Sequence, residues 1–553
     1  MIGTLKPRLL PLFVVAAAAC MAQKQPAQPA RDLCAPPPGG AAPSLPARLM
    51  SGQGNIHFPI TTSNPEAQKF FDQGVNQMHS FWATEAERSF LQAAALDPQA
   101  PMPHWGIAMA AAGDYRPRFQ LMRDGVTRRN PAPTRLNPQG GAARAIEAAK
   151  KALDLSQAPG KATDLEKLYI ASIAARRDGN IADKDEAYIQ GLRSIAAKYP
   201  EEVEARTFLA LHLMRGFTTP DKKPREGSME AVQILRSLLA KAPNHPGVHH
   251  YAIHGFEGSH FAKDAWESCR RYPELTSNIP HALHMPGHIW AQTGKWQEAA
   301  KAFEDAAANE LGYIRADQLY SRGHHGHNVH FLVSTYGFQG EYEKALEAAR
   351  GLLEFKENPR EAAAVDNVYS TWRQGWFGIL RTLVHFEKWD EILDGQTLPA
   401  YDKPREQAWK HWARGLALAA KGDVKGAKQE AKAMDAAFKD YGKKAKGDTP
   451  PQLLVARMEL DGHIADAANK PEKALRVLKA AAVKERALNY TEPPSYPRPV
   501  LEVLGAKALK HRRPDIAEAA FREALEQYPE SRRARAGLEE AARLSGKPVN
   551  ARL

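Results

Sequence analysis

Cysteine is nearly absent: of 553 residues only Cys20, Cys34 and Cys269 carry a thiol. Three thiols cannot make a disulfide framework for a chain this long, so its stability must come from burial. Long apolar runs are scarce as well. After the first twenty residues none approaches the roughly 20 residues a helical membrane span needs. Familiar catalytic signatures are also missing, with no phosphate loop, no dinucleotide fingerprint and no nucleophile–base–orienter set. A zincin helix is excluded because that motif needs Glu directly after its first histidine, where this chain has Tyr251 and Met285. The formal charge of +12 is spread over faces such as Lys421 to Lys446, interleaved with Asp and Glu and without stacking aromatics. That pattern reads as solvated helix surface and not as a nucleic-acid stripe.

The length itself demands either several cores or one stack of repeated units. At the N-terminus, Lys6 and Arg8 precede an apolar stretch from Leu9 to Ala19, followed by Cys20, the order of a secretory signal. Residues 1–20 are therefore expected to be removed or anchored. Cys20 after a run of alanines resembles a bacterial lipobox. The expected location is the periplasm or outer membrane of a bacterium as a lipoprotein, or secretion where Cys20 carries no lipid. Residues 21–57 are rich in Pro, Ala and Gln and read as a flexible tether.

From residue 58 to about 545 a skeleton recurs. Gly74, Ala86, Phe90, Ala93 and Pro98 are matched at identical spacings by Gly505, Ala517, Phe521, Ala524 and Pro529, and in the middle by Gly287, Ala299, Phe303 and Ala306. Small residues let two antiparallel helices approach, Phe fills the space between them, and Pro ends the second helix. The skeleton resembles the tetratricopeptide repeat, of about 34 residues. The resemblance implies an all-α fold, an α-solenoid of stacked helical hairpins, here about nine or ten. Insertions interrupt the period at 115–141, 217–228 and 310–323, and in solenoids such loops gather on one face. Arg116, Arg118, Arg123, Arg128 and Arg129 make the first of them basic.

Histidine is the chain's compositional anomaly. Twelve of 20 histidines lie between His245 and His330, where even spreading would put about three. Aligned on Ala265, Ala299 and Ala345, His250, His284 and His330 each stand fifteen residues before the alanine. His254 and His288 stand eleven before theirs, where the third repeat has Ser334. His281 and His327 stand eighteen before, where the first repeat has Gly247. Three- and four-residue spacings put these side chains on one face of the first helix of each hairpin, so the stripes should lie side by side. In tetratricopeptide proteins the first helices line the concave groove, and the resemblance implies a groove lined by His250, His254, His281, His284, His288, His327 and His330.

Two fillings of such a cluster stay open. Packed helices 8–10 Å apart let imidazoles converge on an ion at about 2.0–2.1 Å. His250, His254, His284, His288 and His330 are then the candidate ligands, and Zn, Cu, Ni or Fe the metals that imidazole suits. Alternatively the rings hydrogen-bond each other, the backbone and water. Glu257, three residues after His254, is a candidate carboxylate ligand or base. Pro286 falls inside the second stripe, where a helix kinks or restarts.

The segments His284-Met285-Pro286-Gly287-His288-Ile289, His327-Asn328-Val329-His330 and Tyr490-Thr491-Glu492-Pro493-Pro494 resemble signatures of a family of bacterial, often exported tetratricopeptide proteins. That resemblance implies architecture and not a reaction. It adds Glu492, on a loop stiffened by prolines, as either a groove residue or part of a rigid connector. The leading expectation is a non-catalytic scaffold binding a peptide, protein or small ligand in its groove, with membrane contact only through lipid on Cys20. The alternative is a metal-binding protein or metal-dependent enzyme, with Glu257 or Glu492 moving the proton. A third reading makes the histidines a pH-responsive element of the groove.

Overall fold

A computed structural model describes residues 46–117, 139–316, 322–357, 365 and 367–546. The signal, Cys20, Cys34, the tether up to residue 45 and Arg118 to Arg129 lie outside the described residues. Those described form 23 α-helices and no strand, stacked as eleven successive pairs with Arg532–Leu544 closing the end. The pairs outnumber the nine or ten expected because some are too irregular to keep the sequence period. One has a second helix of only five residues, Trp389–Leu393. Among the described residues no helix is long and apolar enough to cross a membrane.

The skeleton residues work as their sizes require. A Cβ added at Gly74 would lie 2.6 Å from the Phe90 ring, one at Gly287 2.4 Å from Phe303, and one at Gly505 2.5 Å from Phe521. Each Phe is fully buried or nearly so, and each glycine is the surface it packs on. Trp105, Trp376 and Trp412 are likewise fully buried packing residues.

Two departures from the sequence expectation bear on the site. Residues 46–57, read from composition as tether, are docked. The Met50 amide donates to Gln73 Oε1 at 2.7 Å, Gln53 Nε2 donates to the Asn278 carbonyl at 2.9 Å, and Ile56 is buried. Composition registers mean polarity and misses single side chains that reach partners more than two hundred residues away. The second departure is that the stack curls until distant hairpins touch. Helix Pro65–His79 meets helix Pro246–Phe256, where His79 Nδ1 is 2.9 Å from the Tyr251 hydroxyl. At the other end Trp296 Nε1 donates to the Pro529 carbonyl at 2.9 Å, and Phe338 stacks on Tyr528 with ring centroids 4.8 Å apart. These contacts enclose the middle of the groove.

Candidate metal centre and ligand pocket

Three consecutive first helices carry the histidines: Pro246–Phe256, Pro280–Gln292 and Arg322–Gln339. The first two begin with proline, which costs a helix nothing in its first turn, where the missing N–H would be unpaired anyway. Helix Pro280–Gln292 continues past Pro286, so His284 and His288 stay one turn apart on one face.

Two groups of imidazoles result. One ring nitrogen from each of His250, His254 and His281 lies within 4.8 Å of the others, and the same holds for His284, His288 and His327. The rings are anchored on their outer side through Nδ1. His250 Nδ1 donates to the His79 carbonyl at 2.5 Å, His254 Nδ1 to Glu257 Oε2 at 3.1 Å, and His284 Nδ1 to Asn328 Oδ1 at 2.7 Å. His288 Nδ1 donates to Glu257 Oε1 at 3.0 Å and also meets Glu492. In the neutral rings of His250 and His284, an Nδ1 that donates outward leaves Nε2 as the lone-pair nitrogen, the arrangement that fixes tautomer and orientation in metal-ligating histidines. Among the described residues, Nε2 of His250 and of His281 are buried and have no hydrogen-bond partner. Buried polar atoms seldom go without one.

Burial pushes His250, His281 and His284 well below the usual imidazole range, and neighbouring histidines push them further. They are neutral at physiological pH, the form that binds metal. His288 is different. Burial opposes its charge, but the carboxylates of Glu492 and Glu257 lift it to about 10. Burial and the Glu257 charge push Glu492 up to about 8, whereas its hydrogen bond and the His288 charge hold Glu257 well below the carboxylate range despite burial. At neutral pH an imidazolium thus sits between a carboxylate and a carboxylic acid, and its Nε2 donates to His284 Nε2 at 2.7 Å.

This acid–base group forms part of the wall of a cavity of about 760 Å³, with Glu257, His288, Tyr490 and Glu492 lining it. The lining also includes the aromatic side chains of Trp296, Phe331, Phe338 and Tyr528, and the inserted loop contributes Phe217, Thr219 and Lys222. The volume falls in the range of small-molecule sites, roughly 300–1,000 Å³. Of the three insertions, the one at 217–228 lines it.

Glu257 and Glu492 are brought together, and Glu492 faces His288 instead of serving only as a connector. His330 is not part of either group. Its Nδ1 meets Gln374, and its Nε2 accepts from Arg381 Nε at 3.4 Å, so a guanidinium stands where an ion would have to be. The sequence reading missed four contributors: Tyr490, whose hydroxyl donates to Glu257 Oε1 at 3.2 Å, Asn328, and Glu310 with His324, which meet each other beside His281. Asn328 and Tyr490 stood inside the quoted motifs. Glu310 lay in an insertion, where no periodicity signals a role.

No protein-family model matches the chain, and no curated protein does. Solved structures similar to it include yeast Tom70, at 12% identity over 87% of this chain and 96% of that one with a TM-score of 0.35. Human IFIT1 with m7Gppp-AAAA is 12% identical over 88% and 92%, with a TM-score of 0.33. The Cut9–Hcn1 assembly of the APC/C is 12% identical over 86% and 76%, with a TM-score of 0.30. At such identity the likeness is one of helical stacking alone.

Proposed function

We propose that the protein is a metal-binding repeat scaffold: a first-row transition metal is held by the groove-lining histidines, beside a pocket that receives a small organic ligand. The observation that carries this reading is the buried Nε2 atoms of His250 and His281, without a hydrogen-bond partner among the described residues, in a trio with His254 whose ring nitrogens lie within 4.8 Å of one another. A network made by the described protein groups alone leaves two buried ring nitrogens unsatisfied, at a cost of about 1–3 kcal/mol each. An ion at about 2.0–2.1 Å from each nitrogen satisfies them together. All-imidazole ligation favours Zn, Cu, Ni or Fe over Ca or Mg. The cavity's volume suits a small ligand better than an extended peptide. Export, with or without lipid on Cys20, belongs to the same proposal and rests on residues 1–20 alone.

The test is elemental analysis of the mature protein purified without a histidine tag, beside a variant with His254→Ala and His288→Ala. Stoichiometric transition metal in the first and its loss from the folded second is the expected result. No metal in either, even after reconstitution, contradicts the proposal. Metal-dependent hydrolysis is the second reading, favoured by the Glu257–His288–Glu492 group facing the cavity. It expects Glu492→Gln to keep the metal and lose turnover of a substrate found by screening. Unchanged turnover in that variant would remove Glu492 from the chemistry.

A further inference from the structure

The two histidine trios are one ligand set written twice. His250 and His254 stand fifteen and eleven residues before Ala265, and His281 eighteen before Ala299. His284 and His288 stand fifteen and eleven before Ala299, and His327 eighteen before Ala345. Each trio thus takes two imidazoles one turn apart on the first helix of one hairpin and a third from the first helix of the next. A solenoid repeats geometry along with sequence, so a step of one hairpin carries the first trio onto the second. Resting on the metal reading above, we propose that the chain binds two divalent transition-metal ions, one in each of these repeat-related three-imidazole sites, and not one ion shared by the cluster.

The surroundings of the trios support two sites. Glu257 serves both: its Oε2 accepts from His254 of the first at 3.1 Å and its Oε1 from His288 of the second at 3.0 Å. One carboxylate therefore orients a ligand of each ion. Each trio also has its own aromatic cover. The Phe81 ring lies 5.4 Å from His254 and 5.6 Å from His281, while Phe303 lies 5.1 Å from His284 and Phe331 5.4 Å from His288. The ends of the series are equally defined. Before the first trio the matching position is Gly247, where a Cβ would fall 2.5 Å from the His79 ring. After the second, His330 faces Arg381 and the next position is Ser334. The repeat thus generates two complete sets and stops.

The second site needs a small adjustment. Two nitrogens on one tetrahedral ion stand about 3.3 Å apart, given bonds of about 2.0–2.1 Å. His284 Nε2 and His288 Nε2 are at 2.7 Å, so rotations of a few tenths of an ångström and loss of the shared proton admit the ion. The sites also differ in access. His288 lines the cavity, whereas none of His250, His254 and His281 does. The second trio reaches the ligand pocket through His288, while the first has no member in its wall, a difference in access between the two sites.

The experiment is a Zn²⁺ titration of the chelator-stripped protein in competition with a chromophoric chelator, followed by elemental analysis after gel filtration, on the wild type and on His281→Ala and His327→Ala. Circular dichroism checks that each variant is folded. Two zinc ions per wild-type chain, and one in each variant, is the expected result. One ion in the wild type overturns the pair of sites while leaving the metal reading intact, and none removes both. Both ions lost from a folded single variant would contradict separate ligand sets. Should either variant unfold, the wild-type stoichiometry decides alone.

Discussion

Replacing Glu257 by Gln tests the arrangement at its most connected point. Glu257 is almost fully buried and its two oxygens accept from His254 and His288, with Tyr490 as a further donor. A Gln in the same place keeps one carbonyl acceptor and turns an NH₂ toward the other imidazole, so two donors face each other at one of the two contacts. Removing such an outer partner typically lowers metal affinity 10–100-fold. Because a single side chain orients a ligand in each trio, the effect should lie in the upper part of that range, about 30–100-fold or roughly 2–2.7 kcal/mol. The assay is competition for Zn²⁺ against a chelator of known affinity, with circular dichroism and thermal melting of the metal-free form as controls on folding. An affinity within about threefold of wild type in a folded Glu257→Gln protein would refute the claim that its carboxylate orients the ligands.

Other consequences are open to simple measurements. Gly505→Ala places a methyl 2.5 Å from the buried Phe521 ring, and overpacking of that kind should cost about 1–3 kcal/mol in denaturant unfolding, much of it recovered by adding Phe521→Leu. Glu485, in the cavity wall, is pushed by burial up to about 8 from an ordinary 4.5, with the charges of Glu459 and Glu502 adding to it. The folded state holds that proton more tightly than the unfolded state does, so its stabilising contribution is complete below about 4.5 and is lost as pH rises through about 8. Glu485→Gln should therefore melt higher than wild type in mildly alkaline buffer and show no advantage in acid, and a constant difference across that window would contradict the assignment. A chain beginning at residue 58 should melt below one beginning at residue 46, because it lacks the docked segment that holds Gln73 and Asn278. Equal melting temperatures would mean the segment contributes nothing to stability.

Much of this was legible before the structure. The spacing of Gly287, Ala299 and Phe303 announces a helical hairpin because close helix approach needs a small residue opposite a large one, and that requirement is local. The register of His250, His254, His281, His284, His288 and His327 was equally local, since helical periodicity alone puts them on one face. What stayed hidden depends on how the turns of the superhelix meet. Nothing in the sequence says that His79 fills the space at Gly247, that the last hairpin reaches Trp296, or that Glu492 arrives at His288 across more than two hundred residues. His330 shows the limit of register. It shares its column with His250 and His284, yet Arg381 from the neighbouring hairpin converts the position from ligand to hydrogen-bond acceptor.

The most direct measurement is an anomalous-difference map from crystals grown after reconstitution with Zn²⁺, with data on both sides of the zinc absorption edge. The account predicts a peak bonded to Nε2 of His250, His254 and His281, and a second beside His284, His288 and His327. A map without peaks at either trio, in which the Nε2 atoms of His250 and His281 hydrogen-bond to ordered water, would contradict it.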